Sequence, residues 1–230
     1  MESQNGSIMD RRLKYPIGVQ SFESLRKDGY IYIDKTQYLR ELLRNRYYFL
    51  SRPRRFGKSL LLSMLEAYFK GRKELFEGLA VSGWEKDWTE YPVIRVDFSA
   101  MTGHDTETLV RELRRSLERT GRLYGLEAGR AGWTPEEFSL GELFGELVDR
   151  LAEKFGRRVV ILIDEYDKGL IETLEDEERL SGATDALRPF FSMLKSRDEN
   201  IRFAFITGVS RFRNTTIFSG ANNLYDKRPV

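Results

Sequence analysis

Four apolar runs set the rhythm of the chain. Tyr47-Tyr-Phe-Leu50, Tyr91-Pro-Val-Ile-Arg-Val-Asp-Phe98, Val159-Val-Ile-Leu-Ile163 and Ile201-Arg-Phe-Ala-Phe-Ile206 are short and rich in β-branched or aromatic residues, which predicts strands. Pro92 sits at the start of the second run, where a missing N–H is tolerated. Val159–Ile163 has no polar alternation, so it predicts a strand covered on both faces, as in a parallel α/β sheet. Between the runs the apolar spacing changes to that of helices. Leu60, Leu61, Leu62 and Leu65 predict one helix, and Leu109, Leu113 and Leu117 a second over 106–124. Leu140, Leu143, Phe144, Leu147, Val148, Leu151, Ala152 and Phe155 form the best amphipathic stripe, closed by Gly156 as a C-cap. Its start is open between two capping boxes, Thr134-Pro-Glu-Glu137 and Ser139-Leu-Gly-Glu142. A last helix is predicted over 185–195, restarted at Pro189, with Leu187, Phe190, Phe191 and Leu194 inward. Upstream, residues 1–13 read as a flexible lead. Phe22, Leu25 and Arg26 predict a short helix ended by Asp28-Gly29. Tyr30-Ile-Tyr-Ile33 predicts a short β run, and Asp34 a cap for a helix carrying Tyr38, Leu39, Leu42 and Leu43. Strands alternating with helices give an α/β class with a mostly parallel sheet flanked by helices.

The junction of the first strand and its helix, Ser51-Arg-Pro-Arg-Arg-Phe-Gly-Lys-Ser59, carries the chemistry. Strand, tight loop ending Gly-Lys-Ser, and helix are the arrangement of a phosphate-binding P-loop, which aims backbone N–H groups and a helix N-terminus at phosphate. Arg54, Arg55, Phe56, Gly57, Lys58, Ser59 and Leu60 are the candidate cradle, with Lys58 reaching the terminal phosphates and Ser59 a magnesium position. The first Gly of the general pattern falls on Arg52. Pro53 biases Arg52 towards an extended conformation, so stiffness replaces glycine there. Asp164 and Glu165 close the aliphatic run, at the strand end where α/β sheets hold ligands. Asp164 is the second magnesium ligand, and Glu165 the group that orients or deprotonates the attacking water. Thr207, ending the fourth run, is placed to sense the γ-phosphate, and Arg211 to reach it as an arginine finger. The plainer reading makes the acids helix caps and Arg211 a surface ion pair. Pro16-Ile17-Gly18 reads either as packing around the domain or as a segment beside the adenine base, assigned to Pro16 and Gly18.

Composition narrows the classes. The 230 residues are 40% hydrophobic and 32% charged, an ordinary globular balance. No apolar stretch approaches the ~20 residues of a membrane span. With 0 cysteines, disulfides and thiolate metal sites are excluded, which fits a cytoplasmic setting. The 1 histidine, His104, leaves no His cluster for zinc and argues against a serine triad. A net charge of +2 gives no bulk case for nucleic acid, but Arg52, Arg54, Arg55 and Lys58 concentrate charge in one loop. Arg111, Arg114, Arg115 and Arg119 alternate with acids on their helix and read as a solvated, self-paired face. Trp84 and Trp88 read as half-buried packing residues.

Arg52–Leu60, Leu162-Ile-Asp-Glu-Tyr-Asp-Lys168, Thr207-Gly-Val-Ser-Arg-Phe212, Ile217–Gly220 and Asn222–Leu224 resemble the bacterial and archaeal AAA-ATPase-like family, with Pro16–Gly18 and Tyr32–Lys35 matching its N-terminal signature. The resemblance implies a P-loop NTPase fold over residues 14–224, with Arg52 a variation of the family itself. It also implies a PD-(D/E)XK nuclease-like domain downstream in typical members. Gly169 stands where members usually have Pro, and residues 225–230 read as a tail unlike the family's continuation. No Asp…Glu-x-Lys site is present, so no nuclease activity is assigned.

These readings converge on an ATP-binding domain with slow Mg2+-dependent hydrolysis. ATP and Mg2+ are the expected cofactors. Turnover is coupled to a partner, either DNA or a nuclease-like module, and an oligomer fits. Absence of an Asn-Lys-x-Asp signature favours adenine. The expected sheet has the Asp164 strand separated from the loop-bearing strand by the one ending at Thr207, the order of the additional-strand (ASCE), AAA-like group. Two alternatives stand beside it: a nucleotide-binding switch with little turnover, and a nucleic-acid-binding module that grips backbone phosphate with the Arg-rich loop.

Overall fold

A computed structural model describes residues 14–53, 55–101, 105–129, 133–168, 177–209 and 225–226. Its centre is a parallel sheet of β1 (Tyr47–Ser51), β2 (Val93–Asp97), β3 (Val159–Asp164), β4 (Ile201–Gly208) and the two-residue β5 (Tyr225–Asp226). The order is β2-β3-β4-β1-β5, with β4 between β3 and β1 as expected. Every pairing is parallel, and β3 is buried along its whole length. That burial on both faces is why its aliphatic run carries no polar alternation.

Helices cover both faces. They are α1 (Phe22–Lys27), α2 (Leu39–Leu42), α3 (Lys58–Phe69), α4 (Thr106–Leu123), α5 (Leu140–Phe155) and α6 (Glu177–Ser196). The period of two along each strand divides the core. Ile161, Ile163, Ile94, Val96 and Ile206 pack with Leu113, Leu147 and Phe190 of α4, α5 and α6. Val160, Leu162, Phe203, Phe205, Tyr48 and Leu50 pack with Leu62 and Leu65 of α3 on the opposite face. Odd and even positions therefore belong to different layers, and a side chain's layer follows from its number.

Local chemistry accounts for most boundaries. Asp105 caps α4 by accepting from Thr108 N–H at 2.7 Å. The Ser139 box starts α5, while Pro135–Glu137 form only a 3-10 turn. Gly156 ends α5 in the left-handed region at φ 58°. Asp34 accepts from Thr36 N–H at 2.8 Å and opens the turn that leads into α2. Trp88 packs on Phe76 at 5.1 Å between ring centres, and Arg40 lies over Trp84, so both tryptophans are packing residues.

Two expectations are corrected. Tyr30–Ile33 is not a strand; it makes a single bridge, Lys14 to Tyr30, and Ile33 is 76% exposed. Tyr32 packs on the α3-side core, but among the described residues the run has no strand beside it beyond that bridge. α6 begins at Glu177 rather than near Asp185, and Pro189 lies inside it instead of restarting it. Gly141 of α5 makes room for that proline, since a Cβ there would lie 2.9 Å from Pro189 Cβ. Phe190 stacks on Phe144 at 4.4 Å beside the crossing. Packing on α5 thus offsets the hydrogen bond that proline cannot make.

Candidate functional site

The carboxyl ends of four adjacent strands carry the polar residues. Asp97 ends β2, Asp164 ends β3, and Thr207 and Gly208 end β4 beside Leu50 and Ser51 of β1. Asp97 and Asp164 are register partners, as are Leu50 and Thr207. Asp97, Asp164 and Thr207 all continue the layer that packs on α3. Lys58 is the first residue of α3, so it enters from the same side.

The loop before α3 is shaped by two left-handed residues, Arg55 at φ 67° and Gly57 at φ 72°. The position where glycine is usual, Arg52, is instead part of the sheet: its N–H donates to Gly208 C=O at 3.1 Å, continuing the β1–β4 pairing. This matches the extended Arg52 that Pro53 predicts. Arg55 in that region costs roughly 1–2 kcal/mol, a local strain held by the loop. Gly57 provides no side-chain cap to α3, and the first carbonyl bond of the helix runs from Leu61 N–H to Gly57 C=O at 3.0 Å. The amides of Lys58, Ser59 and Leu60 precede that bond and so have no carbonyl partner within the helix.

Lys58 is 4% exposed, and its Nζ donates to Arg52 C=O at 3.0 Å and Pro53 C=O at 3.1 Å. Ser59 is half-buried in the first turn, Leu60 packs on the α3 core, and Arg55 and Phe56 are exposed. Arg54 and Arg211 lie outside the described residues.

Asp164 is 1% exposed. Its Oδ1 accepts from the Thr207 hydroxyl at 2.5 Å. Its Oδ2 is buried with no hydrogen-bond partner among the described residues. An unpartnered buried carboxylate oxygen is costly, and such atoms in folded proteins call for an explanation. Thr207, wholly buried, also accepts from Glu165 N–H at 3.1 Å, and its carbonyl accepts from Tyr166 N–H at 3.0 Å. Asp167 Oδ2 accepts from Val209 N–H at 2.8 Å. Residues 165–167 are thus zipped onto 207–209. Glu165 turns there with φ 49°, again left-handed. Gly208 is required for the fit, because a Cβ would lie 2.6 Å from the Tyr166 ring. On the other side, Lys168 Nζ donates to Ser99 C=O at 2.6 Å, tying the segment to the exit of β2.

The N-terminal segment lies against α3 through Phe22 N–H, which donates to Ser63 Oγ at 2.9 Å. Pro16 and Gly18 precede that contact and are exposed, Gly18 at φ 75°. Tyr32 packs edge-on against Phe22, and burial pushes its hydroxyl up to about 12. Sequence reasoning missed Asp97 and Gly208. Asp97 is hidden because the apolar run reads on to Phe98, whereas the strand itself ends at Asp97. Gly208 carried no signal, because its need comes from the Tyr166 ring.

Among the described residues no group of three or more His, Cys, Asp or Glu forms a metal cluster. A phosphate-bound Mg2+ does not need one, since it keeps waters and phosphate oxygens around one or two protein ligands. No described helix is long and apolar enough to cross a membrane.

A family model described as Predicted AAA-ATPase matches residues 16–218. An uncharacterized protein in the vnfD 5' region of Azotobacter chroococcum mcd 1 is 39% identical over 219 residues. That match covers 94% of this chain and 41% of the relative, so the chain spans less than half of that protein's length. No solved structure gives a significant match. With the family model covering most of its length, the chain belongs to the AAA-ATPase-like family of predicted ATPases.

Proposed function

We propose that the chain adopts a P-loop NTPase fold, binds ATP with Mg2+ and hydrolyses it slowly, with turnover coupled to a partner, DNA or a nuclease-like module. One observation carries the reading: a basic, glycine-containing loop and a buried, half-unpartnered Asp164 stand at the same carboxyl edge of one parallel sheet, one strand apart. The β3-β4-β1 order supports it, with one strand between the acid and the loop.

In this reading the amides of Lys58, Ser59 and Leu60 and the ammonium of Lys58 hold phosphate oxygens, once Lys58 leaves the Arg52 and Pro53 carbonyls. Ser59 and the free Oδ2 of Asp164 are the oxygens that would hold Mg2+. The ion, when bound, neutralises charge developing on the phosphates. Glu165 orients the attacking water and takes its proton. Thr207 keeps Asp164 and Glu165 in place. Arg54, Arg55 and Arg211 supply further positive charge, and Pro16 and Gly18 line the base.

The test is equilibrium binding and phosphate release on the native chain, Lys58→Ala and Glu165→Gln. Lys58→Ala should lose ATP affinity at least tenfold. Glu165→Gln should bind ATP normally and release no phosphate. Equal binding by native and Lys58→Ala would remove the loop from its role. Normal binding with no phosphate release by the native chain would make it a nucleotide switch instead.

A further inference from the structure

A second feature lies away from the loop, at the outer edge of the sheet. Among the described residues β2 is the last strand in the order and pairs only with β3. Val160 N–H donates to Pro92 C=O at 2.8 Å, which fixes the alternation: Ile94 and Val96 turn their backbone groups inward, Val93 and Arg95 outward. The chain satisfies one outward residue itself. The Tyr124 hydroxyl accepts from Val93 N–H at 2.8 Å and donates to Val93 C=O at 3.2 Å, standing in for a missing strand. The next outward residue, Arg95, has no backbone partner among the described residues.

α3 and α4 cover opposite faces of the sheet and overhang this edge, leaving a groove of about 760 Å3. Its floor includes Val93, Arg95 and Asp97, one wall Glu66 of α3 and its C-cap Lys70, and the other Arg115 and Arg119 of α4. This is the space the next strand of the sheet would fill. The two walls differ electrically. Glu66 is taken up by Lys70 at 2.6 Å and Arg95 at 2.7 Å, so the α3 wall is paired. On α4, Arg111 and Arg122 have Glu107 and Glu118, and Arg114 donates to the Pro135 and Phe138 carbonyls. Arg115 and Arg119, the two α4 arginines that line the groove, are exposed and have no carboxylate partner among the described residues. The self-paired face expected from the sequence therefore fails at the groove.

We infer that this groove takes an extended peptide segment that adds to the β2 edge through Arg95, with acidic side chains turned towards Arg115 and Arg119. The spacing supports it. Arg115 and Arg119 are one turn apart, roughly 6 Å along α4. Carboxylates at alternate positions of a strand are roughly 6.6 Å apart on one face. Main-chain pairing supplies affinity and the alternate side chains supply selectivity, as in other strand additions. A nucleic acid fits less well, because it has no backbone amide and carbonyl to pair with those of Arg95, and its phosphates cannot be confined to the Arg115 and Arg119 side away from Asp97 and Glu90. The inference does not depend on nucleotide binding at the loop.

The test is amide NMR on the native chain with the blocked peptide Thr-Val-Glu-Val-Glu-Val-Thr, its double-Gln analogue, and the double variant Arg115→Ala, Arg119→Ala. Both arginines are exposed, so the variant should remain folded. Millimolar peptide should shift the Arg95 amide and slow its hydrogen exchange. The Gln analogue and the double variant should each weaken binding about tenfold, and together no further than either alone. An unshifted Arg95 amide, or equal binding by native and double variant, would overturn the proposal. So would displacement of the peptide by an oligothymidylate at lower concentration, which would assign the groove to single-stranded DNA.

Discussion

Thr207→Val isolates the hydroxyl at the centre of the candidate site. Valine keeps the shape of threonine, so the substitution opens no cavity and removes only polar contacts. Two are lost: the 2.5 Å bond donated to Asp164 Oδ1 and the 3.1 Å bond accepted from Glu165 N–H. The first is to a carboxylate and contributes about 1.5–3 kcal/mol. Its loss also strips the last described partner from Asp164, whose other oxygen already lacks one. The second leaves an amide in a half-buried residue, at about 1 kcal/mol. Together these predict a loss of about 2.5–4 kcal/mol. For a domain of this size each kcal/mol corresponds to about 2–4 °C in Tm, so the shift is well resolved. Thr207→Ser is the control. It keeps the hydroxyl and removes one buried methyl, costing about 1 kcal/mol. Urea unfolding of both variants gives the comparison. A valine variant as stable as the serine variant would refute the role given to the hydroxyl.

Gly208→Ala should destabilise by about 1–3 kcal/mol, because its methyl would lie 2.6 Å from the buried Tyr166 ring; thermal unfolding reads this, and Tyr166→Leu should relieve it. Glu66 is pushed up by burial but more strongly down by Lys70 and Arg95, ending below its ordinary 4.5. Stability from those pairs is therefore present above about pH 4.5 and lost as pH falls through the lower folded value. Urea midpoints measured from about pH 6 to 3 should fall less steeply for Glu66→Gln than for the native chain.

Much of this fold is written locally. The unbroken Val159–Ile163 run predicts a doubly covered strand, and Asp164 follows because it closes that run. Ser139 and Glu142 mark the start of α5 by a reciprocal bond visible as a spacing. What escaped prediction depends on partners distant in the chain. Tyr30–Ile33 has strand composition but no strand beside it. Pro189 breaks a local rule because Gly141, on another helix, admits it. The loop's left-handed turn falls on Arg55, whose side chain gives no hint of it. The bonds of the Thr207 hydroxyl to Asp164 and Glu165 likewise exist only once β3 and β4 are neighbours.

That adjacency has a consequence for how the protein is made. β4 is the last long strand among the described residues, yet it occupies the middle of the sheet, between β3 and β1. Until residues 201–208 leave the ribosome, β1 has nothing to pair with there, and β3 exposes an aliphatic edge on the same side. The nascent chain therefore passes through a stage with two unjoined pieces of sheet, when association with other chains competes with folding. Asp164 and Glu165 lack Thr207 throughout that stage. The acids and Thr207 are brought together only when β4 enters between β3 and β1, so a chain interrupted before residue 201 carries the loop but not the assembled acids.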